Sequence, residues 1–125
     1  MKNGKKFDQG KTRMSLCFSQ FAGALLGIAK VLTFGANKYP DPNTGDRGWE
    51  NVENAVERYH DAFLRHYYEL VPDLEVQDPE YPAIDKETGQ LVIDHCITNL
   101  LFLRELMYRN AHDDLPLKEF NDVQS

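Results

Sequence analysis

The chain has 125 residues, 42% apolar and 27% charged, which suits one folded domain with a single core and excludes both a disordered chain and two independent domains. Its formal charge of −6 excludes a general affinity for nucleic-acid polymers, which comes from lysine and arginine replacing counterions, but leaves room for a small nucleotide held by a few local cations. No apolar run approaches the ~20 residues of a bilayer span, and the lysine-rich start meets Asp8 and Gln9 instead of a signal-peptide core, so a cytoplasmic location away from membranes is expected.

Residues 1–17 read as a basic arm, with Gly10 interrupting regular structure between Lys5 and Arg13. A first helix is expected over 18–35, where Phe21, Ala24, Leu25, Ile28, Ala29, Val31 and Leu32 recur with helical spacing. Proline, glycine and turn-forming polar residues then concentrate over 37–48 and predict a long loop, a length that in small domains is often functional. A second helix is expected over 49–70, with Val52, Val56, Tyr59, Phe63 and Tyr67 as its core-facing stripe.

Residues 72–89 are acidic and proline-bearing and predict a second connection. The third helix, over 91–108, is apolar on nearly every side and is expected to be central and most buried. Residues 111–125 form a polar tail that either holds a short helix around 115–120 or frays. Cys17 and Cys96 lie in separate apolar segments without CxxC spacing and read as buried thiols. No internal repeat is evident. The fold class expected is all-α, a single small bundle over 1–125 with three main helices and long loops, whose apolar surplus predicts a homo-oligomer, dimer or tetramer.

Glu53, Glu57 and Asp61 follow one another at spacings of four and form an acidic ladder along the second helix. Such a row needs a compensating cation: solvent counterions, a basic side chain or a metal. Because Glu57 and Asp61 flank the apolar stripe, they should be partly desolvated, and oxygen-only ligands of that kind suit Mg²⁺ or Mn²⁺. In the third helix Asp94, His95 and Asn99 interrupt an apolar run and must find partners, since an unpaired buried polar group costs about 1–3 kcal/mol. Simple hydrogen bonding satisfies that need; a metal shared between Asp94 and the ladder is the sharper option.

His60 and His66 point in different directions from one helix, which disfavours a zinc site between them. The adjacent His60-Asp61 pair resembles the metal-binding dyad of HD-domain phosphohydrolases, where His66 and Asp94 could only loosely fill the remaining places. Cations for phosphate are available at Lys11, Arg13, Lys38, Arg47 and Arg65, although each alone is commonly a solvated surface group. Tyr39 and Trp49 flank the long loop, where an aromatic face could stack on a base or, for Trp49, pack between helices. The absence of GxxxxGK[ST], GxGxxG and GxSxG removes support for P-loop, dinucleotide-binding and serine-hydrolase schemes.

The order Lys6-Phe7-Asp8, Gly10-Lys11 and Arg13, then Val31-Leu32-Thr33-Phe34-Gly35-Ala36-Asn37-Lys38-Tyr39, then Trp49, resembles the phage dATP/dGTP diphosphohydrolase N-terminal family. Glu57-Arg58-Tyr59-His60-Asp61-Ala62, Arg65-His66, Glu87-Thr88-Gly89, Asp94-His95, Asn99, Phe102-Leu103 and Glu105-Leu106 continue the likeness, which spans roughly 5–106. The resemblance implies kinship with MazG-like all-α pyrophosphohydrolases, and so Mg²⁺-dependent hydrolysis of a purine deoxynucleoside triphosphate to monophosphate and pyrophosphate. It differs in one respect: that pattern pairs ExxE with ExxD, whereas the ladder here is spaced by four.

The resulting expectation gives Glu53, Glu57, Asp61 and Asp94 to the metal, and Glu57, Asp61, His66 and His95 to catalysis. Lys11, Arg13, Lys38, Tyr39, Trp49, Arg65 and Asn99 are expected to bind substrate. Two alternatives stay open: a non-catalytic nucleotide sponge, and an HD-type enzyme that releases triphosphate. A helical interaction module that ignores nucleotides is the blandest possibility.

Overall fold

A computed structural model describes residues 10–111, and among them the chain is helical, with isolated bridges at Asp41–Gly45 and Ile84–Leu91 and no strand. Helices α1 (Ser15–Gln20), α2 (Ala22–Lys38), α3 (Ala55–Val76) and α4 (Val92–Ala111) follow in order, with a short 3₁₀ turn at Gly48–Asn51. This is the all-α bundle with three main helices that the periodicity predicts. The greater part of the arm and the tail, including the helix expected around 115–120, lies outside the described residues.

Helix α4 is the centre, packing along α3 and, over a shorter stretch, against α2. Its partners run backwards along α3: Tyr59 meets Phe102, His66 meets His95, and Leu70 meets Val92, so the two helices are antiparallel. The tightest core is Leu70, Val92 and Cys96, with Phe63 and Ala83 packed around it. Each large apolar side chain fully buried there contributes roughly 1.5–3 kcal/mol. The segment entering α4 is tied to this core, because the Ala83 N–H donates to Asp73 Oδ2 at 2.8 Å and the Val92 N–H to the Ala83 carbonyl at 3.0 Å.

Several expectations need correction. The first helix is divided at Phe21, which leaves the helical region (φ −127°, ψ 30°), and it continues past Gly35 to Lys38. The second starts at Ala55 rather than Trp49, behind Asn54 in the left-handed region that asparagine tolerates. It also runs through Pro72 to Val76. Proline cannot donate to the Tyr68 carbonyl, but Pro72 and Tyr68 are both exposed, so water can satisfy that oxygen.

The core-facing stripe of α3 is the half-buried Tyr59, Phe63 and His66 and the buried Leu70, while Val56 and Tyr67 are 38% and 42% exposed. Leu70 and Phe63 fix the contact line, and four residues before Leu70 stands His66, so the stripe passes through an imidazole instead of Tyr67. Cys96 is buried as expected, but Cys17 is exposed because α1 lies outside the core. Helix α4 is open on the side of Leu100, Leu101 and Met107 rather than buried all round.

Candidate functional site

A cleft of about 920 Å³ opens between the C-terminal half of α2, the loop after it and the paired faces of α3 and α4. Its size falls within the range of small-molecule sites. One wall is aromatic. Trp49 stacks on Phe102 with centroids 4.9 Å apart, and Tyr59 tilts against the same ring at 4.7 Å. The Tyr59 hydroxyl donates to the Trp49 carbonyl at 2.8 Å, and burial pushes its phenol up to about 12, so it stays a neutral donor at physiological pH. Trp49 thus uses a face for packing, and the Arg109 guanidinium lies 5.3 Å from its centroid. Phe34 and the exposed Tyr39 line the opposite rim, with the Lys38 ammonium near both rings.

Two turns with one residue pattern, D-x-x-T-G, border this cleft: Asp41-Pro42-Asn43-Thr44-Gly45 and Asp85-Lys86-Glu87-Thr88-Gly89. In the first, Asp41 Oδ1 accepts the N–H groups of Asn43 (2.8 Å) and Thr44 (3.0 Å). In the second, Asp85 Oδ2 accepts the Thr88 N–H at 2.9 Å and its hydroxyl at 3.1 Å. Each turn closes on a glycine with positive φ, 64° at Gly45 and 73° at Gly89, a conformation open to glycine at little cost.

At the floor of the cleft the His66 and His95 rings stack, 4.6 Å apart and 19° from parallel. His95 Nε2 lies 2.7 Å from Thr88 Oγ1 and 3.8 Å from Asp85 Oδ2. Burial, then the neighbouring His95, holds the His66 imidazole below its ordinary value, so it is uncharged at neutral pH. Its Nδ1 is buried and has no hydrogen-bond partner among the described residues. Burial pushes the Asp85 carboxyl up, but the Thr88 N–H, the Thr88 hydroxyl and the two imidazoles together outweigh it and hold the group below the carboxylate range.

The residues expected to bind substrate and the two histidines expected to act in catalysis divide. Tyr39, Trp49, His66 and His95 line the cleft, and Lys38 stands at its rim in an ion pair with Glu87. That pairing holds the Lys38 ammonium above its ordinary range. Lys11, Arg13 and Arg65 are exposed and lie outside the cleft wall. Asn99 is buried with Nδ2 on the His95 carbonyl at 3.0 Å, and Thr98 bonds the Asp94 carbonyl at 2.8 Å, so both polar residues of α4 are satisfied within their own helix.

The expected metal ligands do not converge. Glu53, Glu57 and Asp61 are exposed, and Glu57 faces a separate, shallower groove beside His60, Leu103 and Met107. Asp94 is buried against Gly27 of α2, so closely that a Cβ on Gly27 would overlap its carboxylate. Burial raises the Asp94 carboxyl above its ordinary range despite the nearby His95 and Lys30. Among the described residues no three of His, Cys, Asp and Glu stand close enough to hold a metal ion. The ladder plus Asp94 therefore does not fit a cation within one chain. The cause is helix geometry: Glu53 lies in the turn ahead of α3, Glu57 and Asp61 are on the exposed side of that helix, and Asp94 turns toward Gly27 of α2.

Sequence reasoning assigned no site role to Arg58, Asp85 or Thr88. Arg58 lines the cleft, and its guanidinium makes no hydrogen bond or ion pair among the described residues, unlike that of Arg47, which reaches Glu50 at 3.2 Å. The readable signal for the others was the repeated D-x-x-T-G pattern. Among the described residues no helix is long and apolar enough to cross a membrane. No curated protein and no solved structure matches the chain. The family model described as dATP/dGTP diphosphohydrolase, N-terminal, matches residues 1–115, so the chain belongs to that family of purine deoxynucleotide hydrolases.

Proposed function

We propose that the chain hydrolyses a purine deoxynucleoside triphosphate, dGTP or dATP, to the monophosphate and pyrophosphate by attack of water at the α-phosphorus, with the α2–α3–α4 cleft as its site. The observation that carries this reading is the cleft itself: an aromatic rim, a half-buried imidazole pair and, in Arg58, a cation with no carboxylate partner in one cavity. Flat rings at Phe34 and Tyr39 suit a base, and the Arg58 fork suits phosphate oxygens. His66 and His95 bring ring nitrogen atoms to the floor of the cleft that can orient water. Glu57 and Asp61 lie outside this cleft and have no part in the steps assigned to it.

A divalent cation, Mg²⁺ or Mn²⁺, belongs to the proposal as part of the metal–triphosphate substrate. Mg²⁺ bound in that way keeps several waters and needs only one or two protein carboxylates, and Asp46 and Glu87 stand in the cleft wall. Exposed apolar side chains on α1, α2 and α4, among them Phe18, Phe21, Leu26, Leu100 and Met107, support self-association into a dimer or tetramer.

Incubating the pure protein with each deoxynucleoside triphosphate and Mg²⁺, then separating products, tests the reading. Monophosphate plus pyrophosphate from dGTP or dATP is expected. Released triphosphate would support the HD-type alternative, and tight binding without turnover the sponge. Arg58→Ala should raise KM about tenfold or more, the weight of one charge-assisted hydrogen bond.

A further inference from the structure

We propose that Asp85 and Thr88 are positioning residues that hold His95 in one tautomer, with hydrogen on Nε2 and the lone pair on Nδ1. This rests on the nucleotide reading for its purpose but not for its geometry. Thr88 Oγ1 sits among three polar atoms: His95 Nε2 at 2.7 Å, Asp85 Oδ2 at 3.1 Å and the Gln90 backbone nitrogen at 3.2 Å. A hydroxyl has one hydrogen to give and two lone pairs to fill. An ionised carboxylate only accepts, so the Thr88 hydrogen goes to Asp85. The Gln90 N–H fills one lone pair, and the other faces His95 Nε2. That nitrogen must bring a hydrogen, and the uncharged form of the ring then carries its lone pair on Nδ1.

The reverse arrangement would turn the Thr88 hydrogen toward Nε2 and set two electron-rich oxygens against each other at 3.1 Å. The turn resists that exchange, because the Thr88 N–H already pins Asp85 Oδ2 at 2.9 Å and the Gly89 N–H donates to the Asp85 carbonyl at 2.8 Å. His66, stacked on the ring, restrains its plane. The result is a carboxylate–hydroxyl–imidazole chain along the cleft wall that leaves one acceptor nitrogen on an oriented ring. Orienting an imidazole in this way governs whether it can receive a hydrogen from a bound water, and the wrong tautomer can cost orders of magnitude in rate.

Long-range ¹H–¹⁵N correlation spectra of the ¹⁵N-labelled full chain report histidine tautomers directly. His95 should show the Nε2–H pattern in the unaltered protein. Thr88→Val should lose it and lower kcat about tenfold or more while KM moves less than about threefold; Thr88→Ser, which keeps the hydroxyl, should restore both. An Nδ1–H pattern in the unaltered protein overturns the proposal even if Thr88→Val does not fold, and so does a folded Thr88→Val protein whose tautomer is unchanged. A locked Nε2–H ring in a protein that turns over no deoxynucleotide would uphold the relay and sink the function proposed above.

Discussion

The two D-x-x-T-G turns share a local code but differ in what the threonine does. In 41–45 the Thr44 hydroxyl is buried and bonds to no group outside its own turn among the described residues, and the second oxygen of Asp41 reaches Asn51 at 3.4 Å. In 85–89 the Thr88 hydroxyl joins a carboxylate to an imidazole. Both turns are built by the same short-range physics, an aspartate capping N–H groups ahead of a left-handed glycine. The second has acquired a tertiary partner because α4 carries His95 past it. Local sequence therefore explains the shape of a turn, and the element packed against it decides whether that shape serves chemistry.

The largest separation between the turns should appear in turnover. Asp85→Ala is expected to lower kcat about 100-fold, within the span of general acid–base effects, while Asp41→Ala stays within about threefold. Steady-state pyrophosphate release measures both, and equal losses would break the contrast. Replacing either glycine by alanine strains a positive φ and should cost about 1 kcal/mol at each turn by urea unfolding, but only Gly89→Ala should also slow turnover.

Thr44→Val should change stability by less than about 1 kcal/mol in either direction, since its hydroxyl links the turn to no other element. The smallest effect concerns His66. Its folded pKa lies below the ordinary 6.5, so the unfolded chain binds protons first as acid is added. The stability from the neutral ring is fully present above about pH 6.5 and is lost as pH falls toward the folded value. Thermal midpoints between about pH 7 and about pH 5.5 should therefore drop, and His66→Gln should flatten that slope.

The helices were legible because apolar periodicity is a local property. Val31 of α2, Tyr59 and Phe63 of α3 and nearly the whole extent of α4 sit as the spacing predicts. Legibility failed where a rule of thumb met solvent or a partner. Pro72 does not end α3 because its turn faces water. Tyr67 yields its place to His66 because an imidazole finds another imidazole across the interface.

At the site, His95 was visible as a polar group in an apolar helix, His66 as a histidine of the second helix set apart from His60, and Tyr39 and Trp49 as loop aromatics. The acidic ladder was equally visible, yet like charges at four-residue spacing are also what a solvated helix face looks like, and Glu53, Glu57 and Asp61 are exposed. Asp85 and Thr88 were given no role because a turn motif announces backbone geometry and says nothing of the ring it will touch: His95 follows Thr88 by seven residues, across the start of a helix. Arg58 escaped because being without a carboxylate partner is a property of the folded surroundings.

The central claim is that nucleotide occupies the cleft and not the groove beside the acidic ladder. Titrating the protein with Mg²⁺ and a non-hydrolysable α,β-methylene dGTP, while following histidine ring resonances, separates the two, since His66 and His95 line the cleft and His60 lines the groove. The account predicts saturable shifts at His66 and His95 with His60 unmoved. Shifts confined to His60 would contradict it and return the chemistry to Glu57 and Asp61.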